Sequence, residues 1–151
     1  EFLDEVRSAL GTGESFAGLD LEITESMVMH DIDRSKRLIT QLREAGVRIA
    51  LDDFGTGHSS LSHLARLPLD DLKIDRSFVH AMNDSPTDFS IVSMIVALAR
   101  SLRLNIIAEG VETEEQLKLL RQLRCDQAQG YLLGRPVPAE QIDALLAAQS
   151  R

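Results

Sequence analysis

The sequence predicts an α/β fold in which five parallel strands alternate with helices. Two observations carry this prediction: short β-type runs recur along the chain, and a longer stretch with helical spacing of apolar residues follows each run. A third is size, because 151 residues with 44% hydrophobic and 26% charged side chains can bury the core of one domain. We therefore treat residues 1–151 as one domain, or part of one.

A helix-like segment at Phe2–Leu10 opens the chain, and the first strand is predicted at Leu19–Thr24. Asp33–Ala45 places apolar residues on one helical face, and Gly46 suits the left-handed position that ends such a helix. The second strand is predicted at Val47–Asp52 because this run is mostly apolar and ends at the first residue of the pair Asp52-Asp53.

A glycine-rich turn at Phe54–Gly57 follows the second strand. Ser59 or Ser60 can cap a short helix that Pro68 ends, because proline cannot continue a helix. The remaining predicted elements are a strand at Leu69–Asp75, a polar loop containing Pro86, a helix at Thr87–Leu102, a strand at Leu104–Glu109, a helix opened by the capping box Thr113–Gln116, a weak strand at Asp126–Tyr131 and a last helix after Pro138.

The charge balance limits the function classes. The chain has 16 Lys and Arg against 24 Asp and Glu, a formal net charge of −8, which disfavours binding to a DNA or RNA duplex. One cysteine excludes a disulfide framework and a cysteine zinc cluster. No apolar run approaches the roughly 20 residues of a membrane span, so we expect a cytoplasmic segment without membrane contact of its own.

Ionisable and amide side chains recur at the carboxyl ends of the predicted strands. They are Glu22, Glu25, Asp52, Asp53, Lys73, Asp75, Glu109, Glu112 and Gln129. Active sites of parallel α/β folds lie at this end of the strands, so we expect these side chains to converge.

So many carboxylates cannot all ionise in one place unless a cation neutralises them or their pKa values rise. Oxygen ligands without His or Cys favour Mg²⁺, Mn²⁺ or Ca²⁺ over zinc. Several carboxylates around a central aspartate suit a two-metal site acting on a phosphoryl group, with Lys73 as a fixed positive charge beside it.

Simpler structural explanations exist for each residue taken alone. Asp52 and Asp53 can be turn residues that accept hydrogen bonds from backbone amides. Glu22 can be a solvated strand end, Lys73 a surface lysine and Glu112 a neighbour of the helix cap. The four histidines show no metal-ligand spacing and are interpreted as ordinary surface or loop residues. The functional interpretation is favoured because ionisable or amide side chains recur at the carboxyl ends of all five predicted strands.

Six sequence blocks resemble the EAL domain, a family of bacterial phosphodiesterases that linearise cyclic di-GMP on a (β/α)₈ TIM-type barrel. The blocks are Leu21–Ser26, Asp52–Gly57, Lys73–Asp75, Ala108–Thr113, Gln129–Tyr131 and Leu133–Pro136. The resemblance covers nearly the whole chain in the family's order and spacing. It implies a partial barrel of about five βα units and cyclic di-GMP as the partner.

The resemblance also implies roles for individual residues. Glu22, Asp52 and Asp53 would be ligands of Mg²⁺ or Mn²⁺ in a two-metal site. Lys73 would hold the attacking water and Glu109 would act as general base. Supporting positions would be Gln129 beside the metal ligands, Glu25 and Glu112 as residues that steady the site, and Asp75 next to Lys73.

The Glu-Ala-Leu motif that names the family is absent from the sequence, as is the asparagine-bearing strand that follows it in complete domains. A complete (β/α)₈ barrel takes about 250 residues. We therefore interpret the chain as the C-terminal part of an EAL domain. We expect it to be inactive alone, and either to be completed by the missing N-terminal part or to self-associate through unpaired strand edges.

Two other functions stay open at this stage. A degenerate EAL domain can bind cyclic di-GMP as a regulatory module without hydrolysing it. A different metal-dependent barrel, such as an enolase-like enzyme, also places carboxylates and lysines at its strand ends.

Overall fold

A computed structural model describes residues 18–55 and 61–149. The predicted opening helix at Phe2–Leu10 and the predicted caps Ser59 and Ser60 lie outside the described residues, as do Thr56 and Gly57 of the predicted turn. The described elements are β1 (Asp20–Thr24), α1 (Glu25–His30), α2 (Ile32–Glu44), β2 (Arg48–Phe54), α3 (Leu61–Leu64), β3 (Asp71–Ile74), α4 (Arg76–Ala81), α5 (Pro86–Ser101), β4 (Asn105–Ala108), α6 (Glu114–Gln122), β5 (Gln127–Ala128) and α7 (Ala139–Gln149).

The five strands form one parallel sheet in the order β1-β2-β3-β4-β5. Each strand therefore pairs with the next strand along the chain, as in successive units of a barrel. The α/β prediction with five parallel strands is confirmed. The fifth strand is shorter than predicted, since only Gln127 and Ala128 pair with β4.

Two short helices correct the prediction. α1 follows β1 directly, and α4 occupies part of the stretch that we predicted as a polar loop before Pro86. Each spans only six residues, so neither shows enough apolar repeats to reveal a helix in the sequence. The long helix and the Thr113–Gln116 capping box agree with the prediction, and in the box Thr113 Oγ1 accepts from the Gln116 amide.

The sheet has one apolar face, which lies against the helices. Alternate residues of the central strands point to this face and are fully buried, among them Ile49, Leu51, Leu72, Ile74 and Ile106. They share a single core with helix residues such as Val28, Leu42, Val79, Val92 and Leu120. Because strand side chains alternate between faces, the other residues of the same strands project to the opposite face.

That opposite face is largely polar, although Ala50 and Ile107 also lie on it. Near the amino ends of the strands, Asp71 is 2% exposed and accepts hydrogen bonds from Arg48 Nη2 at 2.6 Å and from Asn105 Nδ2 at 2.9 Å. The sequence analysis missed this network because it considered only the carboxyl ends. Two bonded partners allow the Asp71 carboxylate to be buried.

Candidate active site

Lys73 is the centre of a polar cluster on this face of the sheet. Its Nζ lies 2.6 Å from Glu22 Oε1, 2.7 Å from Glu109 Oε1 and 3.4 Å from Asp52 Oδ1. The Lys73 side chain is 5% exposed, whereas that of Glu22 is 54% exposed. The cluster thus has a buried cation with anionic partners that reach the surface.

Strand register explains why these four residues meet. Glu22 pairs with Ala50 and Thr24 with Asp52, while Lys73 pairs with Ile107. Paired residues of parallel strands project to the same face, and Glu109 comes two residues after Ile107. Glu109 is also fixed to β3, because its amide donates to the Ile74 carbonyl at 3.1 Å.

The carboxylates hold Lys73 in its charged form. Burial lowers the pKa of Lys73, but hydrogen bonds to Glu109 and Glu22 and the charges of Glu109 and Asp52 outweigh it and raise the pKa above the ordinary lysine value. Lys73 is therefore a permanent positive charge at neutral pH. In this form it can orient an anionic group or a water molecule.

β2 has an irregularity near its carboxyl end, because its register with β3 shifts between Leu51 and Phe54. Asp53 has a φ of 56°, a left-handed conformation that is uncommon for a residue other than glycine, and its amide donates to Asp52 Oδ1 at 2.9 Å. Glu25, which is 4% exposed, accepts a hydrogen bond from the Gly55 amide at 3.3 Å. Glu25 thus contacts the backbone immediately after the strand that carries Asp52 and Asp53.

The segment Glu109–Glu112 lies beside the end of β5. Val111 donates to the Gln129 carbonyl at 3.0 Å, and Gln129 donates to the Ala108 carbonyl at 2.8 Å. These backbone bonds bring exposed Gln129 next to the segment that carries Glu109. Glu112 Oε1 lies 3.7 Å from His80 Nε2, a contact that the sequence analysis missed when it set the histidines aside.

Asp75 has a local structural contact. It is the N-cap of α4 and accepts a hydrogen bond from the Ser77 amide at 2.9 Å. Burial raises the pKa of Asp75, but hydrogen bonds from Ser77 and from the Arg76 amide bring it below the ordinary aspartate value. The cap explains this residue without any contact to the Lys73 cluster.

The chemistry of the donors fits a hard divalent cation. Glu22, Asp52 and Glu109 offer carboxylate oxygens, the ligands that Mg²⁺ and Mn²⁺ prefer. Within residues 18–55 and 61–149, no three Asp, Glu, His or Cys side chains are already grouped to hold an ion. The Lys73 ammonium is instead the cation that these carboxylates contact.

The fold and this cluster define a class of protein. A parallel βα sheet with carboxylates and a lysine at the carboxyl ends of its strands is the arrangement of barrel enzymes. Residues 1–136 match the model of the EAL domain, and the chain belongs to the EAL domain family. This confirms the family inferred from the sequence blocks.

Relatives and solved structures agree with this assignment. Cyclic di-GMP phosphodiesterase NbdA of Pseudomonas aeruginosa is 48% identical over 147 residues, which are 97% of this chain and 19% of that protein. A structure of the PaMucR phosphodiesterase in complex with c-di-GMP is 52% identical, with a TM-score of 0.86 over 93% of this chain and 57% of that chain. The partial-barrel prediction fits this neighbour.

A more distant structure is that of Klebsiella pneumoniae BlrP1 in a manganese and cyclic di-GMP complex. It is 33% identical, with a TM-score of 0.76 over 89% of this chain and 34% of that chain.

This chain spans about a fifth of the length of its curated relative NbdA, at 19%. Among the described helices, none has both the length and the apolar character that crossing a membrane requires.

Proposed function

We propose that this chain is a module of a metal-dependent phosphodiesterase that hydrolyses cyclic di-GMP to linear pGpG. The observation that carries the proposal is the Lys73 cluster, in which one buried ammonium contacts Glu22, Asp52 and Glu109 at the carboxyl ends of the strands. NbdA is named as a phosphodiesterase for this dinucleotide, and the PaMucR and BlrP1 structures are described as complexes with it.

Each residue has a role in this proposal. Glu109 accepts the proton of the attacking water, and Lys73 orients that water while holding Glu109 through the 2.7 Å contact. Glu22, Asp52 and Asp53 would hold Mg²⁺ or Mn²⁺. When bound, such an ion would stabilise the negative charge that develops on the phosphoryl group in the transition state. Gln129, Glu25 and Glu112 support these groups and do not react, whereas Asp75, two residues after Lys73, contributes only through its cap of α4.

The reaction is an in-line displacement at phosphorus. The water oxygen forms a new bond to phosphorus while the bond from phosphorus to one ribose 3′ oxygen breaks. The proton of the water passes to the Glu109 carboxylate, and the released 3′ oxygen takes a proton from solvent water to become a hydroxyl. Glu109 is suited to this task because its side chain is 22% exposed, which leaves it accessible to a ligand.

We also propose that the 151-residue chain alone is inactive or nearly so. In the family pattern, the Glu-Ala-Leu motif and the following asparagine supply further metal ligands, and this sequence contains no Glu-Ala-Leu. With only part of the ligand set, the ion would be held weakly, because affinity depends on the number of ligands.

The test compares two glutamine variants of the parent polypeptide that carries this sequence, with cyclic di-GMP and Mg²⁺ or Mn²⁺. Glu109→Gln removes the base without changing side-chain size, and we expect it to lower kcat by roughly 10² or more. Glu115→Gln is the matched control. This substitution removes the same charge, and Glu115 is exposed in the first turn of α6. We expect the control to stay within about twofold of wild type.

Three outcomes would contradict parts of the proposal. Equal activity of Glu109→Gln and wild type would exclude Glu109 as the base. Binding of cyclic di-GMP without turnover by the parent would favour the regulatory module instead. Turnover by the 151-residue chain alone would contradict its proposed inactivity.

A further inference from the structure

Several backbone groups of Glu109–Glu112 form hydrogen bonds with other segments. The Glu109 amide donates to Ile74, the Val111 amide to Gln129, and the Val111 carbonyl accepts from Leu132 at 3.0 Å. The Glu112 amide donates to Gln116 Oε1 at 2.8 Å. A segment bonded in this way has little freedom to move, so the position of the Glu109 carboxylate depends on these bonds.

The Gly110 carbonyl has its partner on a different element. His80 Nε2, on α4, lies 2.9 Å from this oxygen. A carbonyl oxygen only accepts hydrogen bonds, so His80 carries the proton on Nε2 and donates it. The same nitrogen lies 3.7 Å from Glu112 Oε1, so one imidazole edge faces both Gly110 and Glu112.

α4 also packs against Gly110 too closely for a side chain. Gly110 has a φ of +69°, and a Cβ built there would lie 2.5 Å from Arg76 Cβ and 3.3 Å from His80 Nε2. Arg76 and His80 are four residues apart and therefore share one face of the helix. The hydrogen bond and this close packing fix the segment to α4 from one side, while Gln129 and Leu132, which follow β5, bond to Val111 from the other.

From these contacts we infer that His80 is a positioning residue for the Glu109–Glu112 segment. It acts through the Gly110 carbonyl, one residue from Glu109, and it touches neither the Lys73 cluster nor its carboxylates in any described contact. Its effect on catalysis rests on the proposed function, whereas its effect on the segment does not.

The structural test is NMR-detected hydrogen exchange on the full 151-residue chain. His80→Ala removes the donor, and we expect exchange at the Val111 and Glu112 amides to become roughly 2- to 10-fold faster, the effect of one lost hydrogen bond on local opening. His80→Gln can place an amide nitrogen near the Nε2 position, so we expect it to restore slow exchange. His30→Ala, at an exposed histidine of α1, is the matched control and should leave these amides unchanged.

The functional test measures kcat and KM in the parent polypeptide. We expect His80→Ala to lower kcat roughly 10-fold with KM little changed, and His80→Gln to recover most of the loss. The inference is overturned if His80→Ala leaves exchange at both amides unchanged, or if His80→Gln is no better than His80→Ala. If wild type does not turn over, the proposed function fails, and the exchange data alone decide the role of His80.

Discussion

A lysine ammonium that is almost fully buried needs anionic partners, and Lys73 has three carboxylates within 3.4 Å. Removing one partner from a buried charge cluster is costly, because the remaining charges lose their compensation without regaining water. Glu22 and Glu109 are the shorter contacts, so they and Lys73 are expected to behave as a unit. Double variants in this cluster should therefore not be additive.

Asp75 provides a prediction about capping. Asp75→Ala removes the acceptor for the Ser77 amide at the start of α4, and we expect a loss of about 1 kcal/mol in the free energy of unfolding at pH 7. Asp75→Asn keeps a side-chain oxygen there and is the control, with most of the stability retained. Urea unfolding of the three proteins measures the difference.

The comparison of wild type with Asp75→Ala also tests the lowered pKa of Asp75. A carboxyl whose pKa is lowered by folding contributes stability above its ordinary value of 3.8, and this contribution disappears as the pH falls through the lower folded value. We expect the gap between wild type and Asp75→Ala to narrow below about pH 4. A gap that stays constant down to pH 2 would contradict the role of the ionised cap.

The sequence predicted which residues lie at the strand ends, but not which of them touch. Glu22, Asp52, Lys73 and Glu109 could be grouped because parallel strands align their carboxyl ends. The position of Asp75 as a helix cap could not be foreseen, because α4 itself was not predicted. His80 carried no signal in the sequence, since its partner is a backbone carbonyl 30 residues away.

At the scale of elements, the strands and long helices were predictable because each repeats apolar residues with a clear period. The residues of β5 have low β-propensity, so the sequence predicted this strand only weakly. In the structure, pairing with β4 stabilises it. α1 and α4 form where a strand ends and turns, in stretches too short for a period to appear. Tertiary packing, with Val28 and Val79 buried, stabilises these short helices.

The junction of β4 and β5 depends on a glycine. A Cβ added at Gly130 would lie 2.2 Å from both the nitrogen and the oxygen of Val111, so Gly130→Ala must push the two segments apart. We expect a loss of about 2 kcal/mol or more in the free energy of unfolding, measured by urea titration. Activity of the parent polypeptide should fall as well, because Gln129 and Glu109 lie on the displaced segments.

Gly134→Ala is the matched control for this substitution. A Cβ at Gly134 would meet nothing within 4 Å, so its effect on stability should stay within about 0.5 kcal/mol. Equal stability of the two variants would show that the β4–β5 junction tolerates separation. The close approach of Gly130 to Val111 would then have no structural importance.

At the scale of the whole molecule, the described sheet has one covered face and one polar face. Helices cover the apolar face, whereas Arg48 and Asp20 on the polar face have side chains 47% and 63% exposed. In a closed barrel these residues would face strands across the barrel axis. The polar face of the described sheet is therefore the one that would line the interior of a closed barrel.

The strand edges lead to the last prediction, which is that the 151-residue chain self-associates. β1 and β5 are the outer strands of the described sheet, and an outer strand of a parallel sheet leaves backbone donors and acceptors available to another chain. We expect size-exclusion chromatography with light scattering to show a mass that grows with concentration, and the N-terminal part of the domain, added separately, to suppress this growth. Cys125→Ser under reducing conditions is the control, because it excludes disulfide-linked dimers through the chain's single cysteine. A monomer of constant mass at every concentration would mean that the edges are satisfied within the chain, and self-association would have to be abandoned.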